Sequence, residues 1–319
     1  MKVPGLLGAI LTAAVAAPPL RLREDGSFSI MQVADVHTGE GEASWGAATD
    51  LRTYLALGQV VGLERPDLAV FSGDMLTGLN VDTNATAYWD RLVSVFDERL
   101  VPHTAILGNH DAEPFSGSGK NQSSPGAKTT RTQLMEHDSA LRLSYSQVGP
   151  PELRPAVSVY VVDVFAHAKP PGAAITATDE QPVLQLFHLD SGGGGMSEQL
   201  YAAQVAWFSR TIHARRQRWS AALIPALVLQ PCQHSSVNLL HLSLLHIFQL
   251  ERRGGGRDID TALAQVFVHI PVWEFQDALK KDENCFGTND DGITPTVTNT
   301  GLFAALEAAP EVVVATAQH

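Results

Sequence analysis

Short, largely apolar runs recur along this chain, and several are followed within a few residues by a group able to bind a cation. Residues 28–33 lead to Asp35, 68–71 to Asp74, 104–107 to Asn109 and 264–268 to His269. Runs of this length, closed by Gly or Asp, predict buried strands of an α/β protein. Ligands gather beyond such strand ends, because the strand fixes the backbone while the following loop aims side chains into a common crevice. Residues 312–314 predict one more strand, and 198–216, containing Trp207 and Phe208, a helix. Between 217 and 262 the pattern changes, and no Asp, Glu, Lys or Arg occurs from 221 to 250. The apolar stretches 223–229 and 239–245 fall well short of the roughly 20 residues a membrane-spanning helix needs, so no stable span is expected. No internal repeat is visible, and the glycine runs at 192–195 and 254–256 read as flexible loops rather than linkers.

The groups at the strand ends form a chemical set. Asp35 and His37, two apart on an extended segment, project to one side and can share one cation. Two divalent ions about 3.5 to 4 Å apart repel one another, so a site for both needs a carboxylate between them and mixed oxygen and nitrogen donors around them. Asp74 is the natural bridge; Asn109 offers an amide oxygen to the other ion and His269 an imidazole. His110, beside Asn109, is placed to give a proton to a leaving alkoxide, as imidazoles do in general acid catalysis. The implied reaction is in-line attack on the phosphorus of an ester by hydroxide held on the metals. Each motif alone is ordinary, since Gly-Asp is a common turn and Asp-x-His is often only a capping pair. Their order, each after a strand-like run, carries the reading. His234, His241 and His246 read as incidental.

The motifs Asp35-Val36-His37, Gly73-Asp74, Gly108-Asn109-His110-Asp111, Leu189-Asp190-Ser191-Gly192 and Val268-His269-Ile270-Pro271 resemble those of calcineurin-like metallophosphoesterases. Within that superfamily the chain is most similar to the group described as probable inactive purple acid phosphatases of plant, algal and fungal type, over residues 25–215 and 264–316. The resemblance implies a four-layer α/β sandwich, two mixed β-sheets flanked by helices. It implies a metal-dependent phosphoric ester hydrolase, first of all a phosphomonoesterase, using two divalent or trivalent ions (Fe, Mn or Zn). The substrate would be a small phosphorylated molecule or a phosphoprotein. The alternatives are a catalytically impaired member of the fold, and a phosphodiesterase or nuclease.

Two departures shape these expectations. Purple phosphatases have Gly in place of His37 and Tyr in place of Thr77, so neither a tyrosinate ligand nor a purple ferric site is expected. The family also closes its site with Gly-His-x-His after a final strand. Here Ala317, Gln318 and His319 follow the 312–314 run, so Gln318 stands for the first histidine and the second is absent; the C-terminus reads as truncated, and at least one ion is expected to bind weakly. Residues 217–262 likewise read as an atypical insertion, expected to be unspliced or mispredicted coding sequence.

With 319 residues, 45% of them hydrophobic, the chain can bury one large core, and the spread of motifs favours a single domain over 25–319. The formal charge of -12 argues against a nucleic-acid partner, because affinity for a phosphate backbone rests on clustered Lys and Arg. An anionic substrate must then be drawn by the metals themselves. Residues 1–16 read as an export signal, with Lys2, an apolar centre at 6–11 and small residues Ala14 and Ala16 for cleavage, so secretion or vacuolar delivery is expected. Asn84-Ala85-Thr86 and Asn121-Gln122-Ser123 are glycosylation sequons compatible with export. Cys232 and Cys285 are too few for a disulfide framework.

Overall fold

In the computed structural model the apolar runs become strands, and the residues between them supply the covering helices. Residues 17–81, 85–111, 129–168, 181–193, 196–219, 227–231, 244–252, 263–281, 293–296 and 298–317 are described below. The export signal at 1–16, Asn84, Asn121, Cys232, Cys285, His234, His241, Gln318 and His319 lie outside these residues.

The strands are β1 (Leu20–Arg21), β2 (Phe28–Ala34), β3 (Leu68–Phe71), β4 (His103–Ala105) and β5 (Tyr160–Phe165), then β6 (Pro182–His188), β7 (Leu227–Pro231), β8 (Leu244–Arg252), β9 (Leu263–Phe267) and β10 (Val312–Thr316). The helices are α1 (Gly46–Glu64), α2 (Gly78–Val81), α3 (Ala85–Asp97), α4 (Arg131–Ser139), α5 (Ala202–Trp219), α6 (Trp273–Lys281) and α7 (Leu302–Glu307). Among the described residues no helix is long and apolar enough to cross a membrane. Local chemistry sets several boundaries. The last turn of α1 closes where Arg65 takes φ 47° and returns its N–H to the Val61 carbonyl, and Pro66 then turns the chain towards β3. A capping box starts α4: the Thr130 hydroxyl accepts from the Gln133 N–H, and the Gln133 side chain accepts from the Thr130 N–H.

Two five-stranded sheets result, with strand orders β1-β5-β6-β9-β10 and β4-β3-β2-β8-β7. Both are mixed. The run β6-β9-β10 is parallel and β5 antiparallel to β6, while β2-β3-β4 is parallel and β8 antiparallel to β2. Alternation along β6 and β9 sends Leu186 and Phe267 into one apolar cluster, and Phe187 and Val266 into another. The first cluster also holds Ile30 and Phe71 of the second sheet, with Leu57 of α1 and Trp89 and Phe96 of α3. The second is closed by Phe208 and Ile212 of α5 and Leu302 and Leu306 of α7. Burial on both faces explains why these strands read as nearly continuous apolar runs.

Polar links join the facing sheets. The Tyr160 hydroxyl donates to the Ala105 carbonyl at 2.6 Å and accepts from its N–H at 3.0 Å. His188 lies 2.9 Å from the Thr104 hydroxyl, its ring stacked on Tyr160 and Phe267. This is the two-sheet sandwich with helices that the sequence led us to expect. In the segment expected as an atypical insertion, β7 and β8 form an antiparallel pair that continues the second sheet, with Phe248 opposite Ile30.

Candidate metal centre

The loops leaving β2 and β3 are laced together before they present any side chain. Asp35 N–H donates to the Gly73 carbonyl, His37 N–H to Asp74 and Thr38 N–H to Met75, each at 3.0 Å. Asp35, His37 and Asp74 all adopt left-handed φ, at 54°, 51° and 53°. Such conformations cost non-glycine residues on the order of 1 kcal/mol or more and persist only where the surroundings enforce them. Two glycines allow the loops to approach closely. A Cβ on Gly73 would fall 2.4 Å from His269 Nδ1, and one on Gly108 would fall 2.2 Å from Asp74 Oδ1.

The predicted site residues converge. Asp35, His37 and Asp74 each offer a ligand atom, and these atoms lie within 4.8 Å of one another. His269 Nε2 lies 3.2 Å from Asp74 Oδ2, the same oxygen that stands 3.7 Å from His37 Nε2, and 2.9 Å from Asn109 Oδ1. Asp74 Oδ2 is therefore shared by two donor groups, with the second sheet supplying all of them but His269, which the end of β9 brings from the first. His269 Nδ1 lies 3.1 Å from the Ser72 carbonyl, which fixes Nε2 as the nitrogen facing the site. His37 Nδ1 lies 3.2 Å from the Thr77 hydroxyl, which aims its Nε2 at Asp74 in the same way. His110 donates its backbone N–H to Asp74 Oδ1 at 2.7 Å, and its half-buried ring meets that of His37 edge-on, centroids 5.0 Å apart.

The electrostatics call for positive charge. Burial pushes Asp35 up to about 7, aided by the charges of Asp74 and Asp111 and opposed by His269. Burial also pushes Asp111 up, to about 6, with Asp74 adding to it. At Asp74 burial acts upward too, but His269, His110 and His37 outweigh it and hold the carboxyl well below its usual range. At His269 burial acts downward, and the Asp74 carboxylate overcomes it to raise the imidazole to about 9. His37 is lowered, by burial first, despite the attraction of Asp74. Protons thus take the place that cations fill when carboxylates and imidazoles crowd one crevice. Asp35 Oδ2 is buried and has no hydrogen-bond partner, an acceptor left for a ligand. Mixed carboxylate, amide and imidazole donors of this kind fit iron, manganese or zinc.

Supporting residues escaped the sequence reading. Asp111, quoted there only as part of a motif, accepts the backbone N–H groups of Asp74, Leu76 and Gly108 at 2.9, 2.8 and 2.7 Å. Arg131, almost fully buried, donates to the carbonyls of Leu107 and Gly108 and to Asp190 Oδ1. Asp190 also accepts from the N–H groups of Val157, Ser158 and Gly192, and the Ser191 hydroxyl accepts from Ile270 N–H. A capping box before Arg131 was the available signal for α4, and nothing local signalled its partners. Two expectations are corrected. The helix expected over 198–216 begins at Ala202, because Glu198 lies in the preceding turn with its carboxylate 3.3 Å from Asn109 Nδ2. Gly192 and Gly193, expected in a flexible loop, are buried at φ 88° and 99°, and a Cβ on Gly193 would fall 2.2 Å from Asn109 Cα.

Residues 28–182 match the family model for calcineurin-like phosphoesterases. The chain carries a calcineurin-like phosphoesterase domain. That match spans β2 to the start of β6 and so contains Asp35, His37, Asp74, Asn109 and His110 of the candidate site, while His269 lies beyond it. Over 310 residues the chain is 26% identical to "Probable inactive purple acid phosphatase 29" of Arabidopsis thaliana, covering 92% of this chain and 66% of that protein. It is 27% identical to "Phosphatase DCR2" of Saccharomyces cerevisiae over 55% of this chain and 28% of that protein. The chain thus spans just under two thirds of the plant relative's length. A dimetal phosphatase from Danio rerio aligns over 91% of this chain and 80% of its own, with a TM-score of 0.45 and 16% identity.

Proposed function

We propose that this phosphoesterase domain hydrolyses a phosphate monoester with two metal ions bound around Asp74. The observation that supports the proposal is that one oxygen of Asp74, Oδ2, lies near both imidazoles, His37 of the group with Asp35 and His269 of the pair with Asn109. Ions bound there would furnish the nucleophile at neutral pH and neutralise charge developing on the phosphoryl oxygens. The chain's own residues supply the rest. Asp35, His37 and Asp74 would hold one ion, and Asp74, Asn109 and His269 the other. Ser72 and Thr77 keep both imidazoles aimed inward. Asp111 and Arg131 clamp the backbone of the loops that carry Asp74 and Asn109. His110, half-buried beside His37, would pass a proton to the leaving-group oxygen. A formal charge of -12 leaves attraction of an anionic ester to the ions themselves.

The test is hydrolysis of a generic aryl phosphate by zinc- or manganese-loaded protein, alongside elemental analysis. Substituting Asp74→Ala should remove bound metal and turnover together, and a metal-loaded Asp74→Ala protein that keeps wild-type turnover would sink the assignment. A second reading, a metal-binding domain without turnover, is supported by the word "inactive" in the plant relative's name. It predicts full metal loading with no hydrolysis of any aryl phosphate. Export to the extracellular or vacuolar space completes the proposal, supported by the pattern of residues 1–16. N-terminal sequencing of secreted material should find the chain starting just after Ala16, and an intact Met1 there would exclude cleavage.

A further inference from the structure

We propose that Glu198 is a positioning residue that selects the metal-binding orientation of the Asn109 amide, a role that rests on the two-ion reading above. The two ends of an asparagine amide are nearly the same size, but only the oxygen can bind a cation. A flip of this side chain would replace a ligand by a donor N–H. Asn109 is buried, with Oδ1 2.9 Å from His269 Nε2 and Nδ2 3.3 Å from Glu198 Oε1. Glu198 Oε1 accepts from Nδ2, which leaves Oδ1 facing the crevice.

Glu198 can do this because its loop is built against Asn109. Gly193 touches the Asn109 backbone so closely that a Cβ there would lie 2.2 Å from Asn109 Cα. Met196 N–H donates to the Gly193 carbonyl at 3.2 Å, and Gln199 N–H to Ser197 at 2.9 Å, shaping the turn that presents Glu198. The start of the loop is fixed through Asp190 to Arg131, which also holds the Leu107 and Gly108 carbonyls just before Asn109. The loop belongs to the first sheet and the ligand to the second, so one arginine sets the spacing between them.

Calorimetric titration of the full chain with zinc, for wild type and for Glu198→Ala, Glu198→Gln and Glu198→Lys, tests the role without reference to turnover. Wild type should take up two ions. Glu198→Ala should keep one at wild-type affinity and bind the other roughly 10- to 100-fold more weakly, the usual effect of losing a residue that orients a ligand. Glu198→Gln, which retains an acceptor oxygen, should restore most of that affinity, and Glu198→Lys, which has only donors, should not. Wild-type affinity for both ions in Glu198→Ala would overturn the role. So would equal weakening of both ions, or a Gln variant as weak as the Ala variant. Fewer than two ions on the wild type would instead overturn the two-ion reading and this role with it.

Discussion

Replacing Asp138 by Ala should destabilise the protein by about 3 to 5 kcal/mol, because it removes a buried carboxylate and strands the donors it accepts from. The Asp138 carboxylate is fully buried, and its Oδ1 lies 2.8 Å from His103 Nε2 and accepts from Trp89 Nε1 at 2.7 Å. Its Oδ2 accepts from the Ser144 hydroxyl at 3.1 Å. His103 is itself fully buried on β4, so no water replaces the lost acceptor. Two orphaned ring N–H groups at about 1 to 3 kcal/mol each give a similar sum. Urea denaturation followed by tryptophan fluorescence measures this. With a slope of about 3 kcal/mol per molar, the midpoint should fall by about 1 M or more at unchanged slope. The pH dependence has a definite sign. Burial would raise the Asp138 carboxyl, but His103 and the other donors outweigh it and hold it below its ordinary 3.8, so its stabilisation is present above that pH and lost as pH falls further. A loss below about 1 kcal/mol in Asp138→Ala at pH 7 would refute the reasoning.

Two further outcomes concern the site. Substituting His110→Ala should leave the metal content unchanged and lower kcat by about 10²- to 10⁴-fold, as loss of a general acid does, measured on an aryl phosphate with elemental analysis in parallel. Metal binding should release protons, because His269, raised to about 9 by Asp74, must be neutral to act as a ligand. Zinc affinity should therefore climb as pH rises from 6.5 to about 9 and flatten above it, read by calorimetry in buffers of different protonation enthalpy. Over the same window the metal-free protein should lose the stability that the charged His269 contributes, which is fully present below 6.5 and gone once pH passes about 9.

The elements that were legible in the sequence are those whose signal is local. β2, β3 and β9 follow apolar runs because both faces of their sheets are covered, and each ends within a residue or two of its expected position. β4 is shorter than its run, since Leu107 N–H leaves the ladder for the Ser158 hydroxyl and the chain swings towards the other sheet. The candidate ligands Asp35, His37, Asp74, Asn109 and His269 were legible because cation donors after strand ends form a recognisable set. Their supports were not. Asp111 accepts from an N–H 37 residues away at Asp74, and Arg131 reaches Asp190 59 residues on, distances that no periodicity encodes. Glu198 was misplaced into a helix because its spacing suits one, while its carboxylate is drawn into the turn by the Asn109 amide.

Anomalous diffraction from crystals grown with zinc would locate the ions directly. Two peaks about 3.5 to 4 Å apart are expected, one shared by Asp35, His37 and Asp74 and the other by Asp74, Asn109 and His269. A fully loaded crystal with no peak beside Asp74, or with zinc bound only elsewhere, would contradict the two-ion centre.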